Sequence, residues 1–123
     1  MSWKARLHPD QPVIEFSVLG LLTLPEINAA ALEVRALALK QGITRILVDF
    51  SNLDPGHSVV DLLFLTDSFE AANKLGPFEK AVLLPSHPAD AARIEFWKTA
   101  CATRKLHVRL FDDRQPALDW LLK

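Results

Sequence analysis

The chain has a single cysteine, Cys101, among its 123 residues. One thiol excludes an internal disulfide, and such sparing use of cysteine is typical of proteins in a reducing compartment. Half of the residues are hydrophobic, which is enough to bury a core without covalent or metal cross-links. We therefore expect one cytoplasmic domain that spans residues 1–123.

An excess of charge of one sign is also missing, because 14 basic residues face 15 acidic ones and the formal net charge is -1. A nearly neutral chain has no strong field for nucleic acid or anionic lipid headgroups. No apolar run approaches the ~18 residues of a transmembrane helix. Residues 1–7 lack the long apolar run and the cleavage site of a signal peptide. We expect neither a nucleic-acid partner nor membrane insertion.

Motifs for catalysis and for metal or cofactor binding are absent as well. The histidines lack the short spacing of a zinc site and have no cysteine partner; they are His8, His57, His87 and His107. The glycines stand singly, so there is no phosphate-binding loop and no dinucleotide fingerprint. The sequence therefore predicts no enzyme, no metal and no cofactor. Asp49 with His57 is the one acid–base pair to inspect.

What the sequence does contain is a regular alternation of strand-like and helix-like segments. Strands are predicted at residues 3–7, 13–19, 45–50, 80–84 and 107–111, and helices at 23–42, 58–74, 89–104 and after 112–113. Alternation of this kind favours a largely parallel sheet with crossover helices, and the first two strands add an antiparallel edge. The predicted fold is α/β, with a mixed sheet of four to five strands and about four helices.

The first helix has the clearest boundaries. Thr23 and Glu26 have the spacing of a capping box, and Pro25 suits the first turn, where its missing N–H costs nothing. Gly42 is expected to end the helix in a left-handed conformation. These signals predict a helix between Thr23 and Gly42.

That helix carries two apolar stripes at helical spacing. The first is expected to face the core and contains Ile27, Ala31, Val34 and Ala38. The second is rotated away from it and contains Leu32, Ala36 and Leu39. A wide buried face is the favoured interpretation, and a partner surface is the alternative.

Four polar or reactive residues are candidates for a functional role. Asp49, at the end of a predicted central strand, is either a functional carboxylate or a cap for the loop backbone. Asp112 and Asp113 are interpreted as the N-terminal cap of the last helix rather than as a catalytic pair. Cys101 shares a helix face with Ile94 and is interpreted as an inert core thiol.

The segment from Ile46 to Ser58 reads as a buried strand, a Pro-Gly turn and the start of an apolar helix. In an α/β chain the loop at the carboxyl end of a strand is where ligands and partners usually dock. On the residues alone Ser58 is interpreted as an N-cap, and the alternative is a phosphorylation site, since free amides and the helix dipole stabilise a phosphate at a helix N-terminus.

The order of these segments resembles the STAS domain family, named for sulphate transporters and anti-sigma-factor antagonists, and in particular its SpoIIAA-like branch. The matching stretches are GLLT at 20–23, ILVDFS at 46–51, GPFEKAV at 76–82 and LFDDRQPALDWL at 110–121. The resemblance covers nearly the whole chain and rests on the order of these stretches.

The resemblance implies a regulatory protein-binding module without enzymatic activity. Such antagonists bind an anti-sigma factor, often a serine kinase, which phosphorylates a serine in the loop after the central strand. The matching position in this chain is Ser58, and the implied partner-binding loop contains Asp54, Gly56, His57 and Ser58. A negative charge at Ser58 would then switch partner binding.

The same fold resemblance extends to lipid-transfer domains of the CRAL-TRIO type, which implies a second function, the carriage of a small apolar ligand or lipid. The residues that would line such a cleft are Leu32, Leu39, Val60, Leu63 and Phe64. They suit a partner surface or a homodimer contact equally well.

Overall fold

The computed structural model describes residues 3–20, 24–53, 78–85, 88–103 and 107–123. Within these ranges there are five strands and three helices. In chain order they are β1 (Trp3–Leu7), β2 (Ile14–Gly20), α1 (Leu24–Gln41), β3 (Arg45–Leu53), β4 (Glu79–Leu83), α2 (Pro88–Thr103), β5 (His107–Phe111) and α3 (Arg114–Leu121).

The strands form one mixed sheet in the order β1-β2-β3-β4-β5. β1 pairs antiparallel with β2, whereas β2, β3, β4 and β5 are parallel to one another. The predicted α/β class, the mixed sheet and its antiparallel edge are thus confirmed. The helix predicted at 58–74 lies outside the described residues, so the count of four helices stays a prediction.

Helices cover both faces of this sheet. α1 and α2 pack on one face, where Ala30 and Ala38 of the first helix and Trp97 of the second join a core cluster with β2, β3 and β4. Crossovers of one hand that advance in the same direction across a sheet place their helices on the same side. α3 follows the last strand and packs on the opposite face.

The strand β3 lies at the centre of this arrangement and is buried from both sides. Ile46, Val48 and Phe50 face α1 and α2, while Leu47 faces α3. β3 extends to Leu53, three residues beyond the predicted end. Apolar residues on both faces are what a central parallel strand between two helical layers requires.

The predicted boundaries of α1 are confirmed at its C-terminal end. Gly42 has a φ of +65°, and the amide of Ile43 donates to the carbonyl of Ala38 at 3.0 Å. Glycine adopts this left-handed conformation without the steric cost of a side chain, which ends the helix. Pro25 lies in the first turn as expected, and Thr23 lies outside the described residues.

Two predictions about burial are wrong. The second stripe of α1 is not part of a wide buried face, because Leu32 and Leu39 are 57% and 59% exposed. Along residues 13–19 the alternation of Val13, Glu15 and Ser17 with apolar residues predicts a wetter face, but this face is largely covered: Glu15 is buried on β2, as is Val13 just before it. The reason is α3, which packs over that face of the sheet.

The helix α2 presents its predicted stripe to the core. Ile94, Trp97 and Cys101 are all buried, so the prediction of a core thiol is confirmed. The ring of Trp97 lies 5.9 Å from that of Phe50 in a tilted arrangement. The neighbouring Phe96 points off this stripe and is 58% exposed.

The sequence predicts Leu118 and Leu121 as the anchors of α3, and Leu118 is only partly buried. The buried residues of this helix are Leu121 and Ala117, of which sequence patterning did not single out Ala117. Both pack against apolar residues of the sheet that include Leu47 and Leu83. Asp113 occupies the N-cap position, but its side chain makes no capping hydrogen bond. The side-chain capping role expected there is therefore not realised.

The adjacent aromatic residues of α2 allow a matched test of this packing. Replacing Trp97 by Ala removes a fully buried ring, and we expect a loss of about 3–5 kcal/mol in the free energy of unfolding. Replacing Phe96 by Ala should change that free energy by only about 0.5 kcal/mol, because its ring is mostly in water. Urea unfolding of both variants measures the difference, and similar losses would contradict the assigned helix face.

Candidate functional site

The carboxyl end of β3 departs from regular pairing with β2. Ser17 pairs with Asp49 and Leu19 pairs with Asn52. Two residues therefore lie between the paired positions on β3, whereas only one lies between those on β2. The extra residue is a β-bulge, a feature that interrupts the ladder and re-aims the side chains beside it. It lies where the chain leaves the sheet towards residue 54.

Asp49 stabilises this bulge. Its Oδ1 accepts a hydrogen bond from the Ser51 amide at 3.0 Å and another from the Ser51 hydroxyl. A side-chain acceptor of this kind supplies the partner that an interrupted ladder leaves missing for a backbone N–H. Of the two interpretations of Asp49, the geometry favours the backbone cap. His57, its expected acid–base partner, lies outside the described residues.

An open groove of about 490 Å³ adjoins the bulge. Its lining residues come from the first three strands and are Trp3, Lys4, Ser17, Val18, Leu19 and Asn52. Val18 is buried at its base, whereas Leu19 and Asn52 are exposed. The groove therefore offers apolar contact together with one cationic and several neutral polar groups.

The predicted partner loop continues from this edge of the sheet. Its residues Asp54, Gly56, His57 and Ser58 lie outside the described residues, as do Val60, Leu63 and Phe64. Of the predicted apolar surface, Leu32 and Leu39 are described, and both lie on the solvent-facing side of α1.

Sequence patterning missed a charged cluster on the α3 side of the sheet. Glu15 is only 7% exposed, and its Oε2 accepts from the Arg6 guanidinium at 2.8 Å. Its Oε1 is in an ion pair with Arg114 and lies 3.9 Å from Nε2 of His8. Arg114 belongs to α3 and Arg6 to β1, so one carboxylate connects the last helix to the edge strand.

A second missed feature is Lys80, which is 1% exposed within β4. Burial lowers the pKa of its ammonium group from 10.5 to about 8, and the electrostatic interaction with Cys101 opposes this shift. The Nζ atom also lies 5.5 Å from the centre of the Phe78 ring. Lys80 lies on the strand face opposite that of Ala81, which packs under α3.

A second groove, of about 610 Å³, runs between α2 and the end of β5. It is lined by Leu84, Glu95, Lys98, Thr99, Ala102, Leu110, Phe111 and Asp112. Asp112 is exposed there and Asp113 is exposed beside it. The charged residues that line this groove are Glu95, Lys98 and Asp112, and they do not form a cluster of one sign.

Comparison with protein-family models and with curated protein sequences finds no match to this chain. Within the described ranges, no group of three His, Cys, Asp or Glu side chains could hold a metal ion. Among the described helices, none has the length and apolar character needed to cross a membrane.

The Glu15 cluster can be tested by removing its negative charge while keeping its shape. In a Glu15→Gln variant two arginines lose their ionic partner, and we expect about 1–3 kcal/mol of destabilisation, since the arginines themselves are partly in water. Glu79→Gln is the matched control, because the pair of Glu79 with Lys123 is exposed on both sides and should contribute at most about 1 kcal/mol. Equal losses in urea unfolding would contradict a special role for the cluster.

Lys80 predicts a pH dependence of stability. Below about pH 8 the Lys80 amine is protonated in both the folded and the unfolded chain. Between about pH 8 and 10.5 it is protonated mainly in the unfolded chain, which therefore binds more protons than the folded chain. Stability should therefore rise with pH there, by about 2 kcal/mol between pH 8 and 10 relative to a Lys80→Met variant.

The measurement is the difference in unfolding free energy between wild type and variant across that range. Lys98→Met provides the control, because it removes the same type of side chain at an exposed position of α2. A flat difference for Lys80→Met would contradict the lowered pKa.

Proposed function

We propose that this chain is a non-enzymatic regulatory module that binds a protein partner, as the anti-sigma-factor antagonists that it resembles do. The observation that supports it most is the end of β3. There the bulge held by Asp49 lies beside an open groove at the carboxyl edge of the sheet, close in sequence to the predicted partner loop at 54–58.

The scaffold behind this loop is suited to present a binding segment. β3 is paired on both sides, and its residues up to Phe50 are packed between helices. Binding residues in proteins are commonly carried by loops on a rigid scaffold, and in parallel sheets they gather at the carboxyl ends of strands. The partner in this proposal is an anti-sigma factor or a kinase-like protein.

Phosphorylation of Ser58 is the proposed switch. A phosphate adds a charge of about -1.5 to -2 at neutral pH, four residues after the carboxylate of Asp54. Two like charges so close in a docking loop disfavour a partner that accepts the unmodified loop. Partner release on phosphorylation follows from this repulsion.

The carriage of an apolar ligand is the weaker alternative. A lipid-binding cleft encloses most of its ligand with apolar side chains. Leu32 and Leu39, two of the five residues expected to line such a cleft, instead extend into solvent from α1. Their exposure favours a surface that meets another protein.

The switch is tested with a Ser58→Asp variant, in which a carboxylate imitates part of the phosphate charge. The chain is first captured from its source cells, and the bound protein and any phosphate on Ser58 are identified by mass spectrometry. We expect a kinase-type or anti-sigma-type partner whose affinity falls at least about tenfold for Ser58→Asp, or about 1.4 kcal/mol.

A Thr99→Asp variant is the matched control, because it adds the same charge at an exposed position of α2. The affinity of this variant for the purified partner, measured by titration, should equal that of the wild type. Equal affinities for the wild type, Ser58→Asp and Thr99→Asp would contradict the proposed switch. An organic-solvent extract that contains a stoichiometric apolar ligand would favour the carrier function instead.

A further inference from the structure

The solvent-facing side of α1 carries a line of apolar residues, named here the α1 outer stripe. Its members are Ala29, Leu32, Ala36 and Leu39, and all four are exposed. Their spacing of three, four and three residues is that of a helix seam that packs against another helix. Single exposed leucines are ordinary, but a stripe with this spacing is typical of an interface.

The charges beside the stripe favour a particular occupant. Glu33 and Lys40 are both exposed and lie seven residues apart, so they share the same flank of the stripe. A parallel second copy of the helix would place this flank against the opposite flank of its partner, where Arg35 of one copy would lie near Lys40 of the other with the same charge. An antiparallel copy would place Glu33 against Lys40 twice, and the surface is thus complementary to itself.

We propose that the α1 outer stripe is a homodimer contact in which two copies of α1 pack antiparallel about a two-fold axis at Ala36. On this axis Leu32 of one copy faces Leu39 of the other, and the small Ala36 side chains allow the two helices to approach closely. A two-fold axis requires the same patch on both subunits, and this stripe with its flanking charges fulfils that requirement.

The dimer is weak. Helices centred on Ala36 overlap over roughly three turns, which buries less than the ~1,200–2,000 Å² of stable interfaces. Arg35 lies on the other flank, where the two copies of its guanidinium approach near the axis and repel each other. The dimer is therefore expected to form and dissociate with protein concentration.

The proposal is independent of the proposed partner loop, since it involves neither Ser58 nor the carboxyl end of β3. The experiments below need only the purified chain. Failure of the dimer and failure of the partner switch are therefore distinguishable.

A cysteine placed on the axis gives the sharpest test. Cys101 is the only native cysteine and is fully buried, so an Ala36→Cys variant presents one accessible thiol. Under mild oxidation we expect a disulfide dimer to form at least tenfold faster than in a Thr99→Cys control, whose thiol lies at an exposed position of α2, away from the α1 outer stripe. Equal rates in the two variants would overturn the proposal.

Charge reversal tests the antiparallel arrangement. Glu33→Lys and Lys40→Glu should each weaken the dimer in sedimentation equilibrium, and the double variant should restore the wild-type dissociation constant because both contacts are rebuilt with exchanged signs. Leu32→Glu should leave only monomer. A wild-type chain that stays monomeric at all concentrations, or a double variant as weak as either single one, would refute the contact.

Discussion

The burial of β3 from both sides is the constraint on which the rest of the structure depends. With Leu47 under α3 and Val48 under the α1–α2 layer, the strand cannot shift by one residue without exchanging its two faces. This fixed register places Asp49 at the carboxyl edge and thereby determines where the bulge forms and where the loop towards residue 54 begins.

Two ionisable groups lie within this framework, and they differ in how the fold accommodates their charge. Glu15 is paired with two arginines that come from the opposite ends of the chain, which makes it a connection between β1 and α3. Lys80 is a cost to the fold, because burial favours its neutral form and lowers its pKa. Because Lys80 lies inside β4, the free energy of unfolding is expected to rise with pH above about 8.

The two proposed contact regions belong to different segments of the chain. The predicted partner loop follows β3, whereas the α1 outer stripe lies on the outer side of a helix that packs against β1 and β2. A dimer through α1 would therefore carry two partner loops, and weak association of the copies would raise the local concentration of binding sites.

Sequence alone determined the succession of the described strands and helices and the end of α1 at Gly42, because periodicity and turn chemistry are local properties of the chain. It also determined the core stripe of α2, including Cys101. Only the tertiary structure decided that Glu15 is buried and that Leu32 and Leu39 are exposed. Whether a helix or strand face meets water depends on which distant segment covers it, and the partners of Glu15 lie 9 and 99 residues away in the chain.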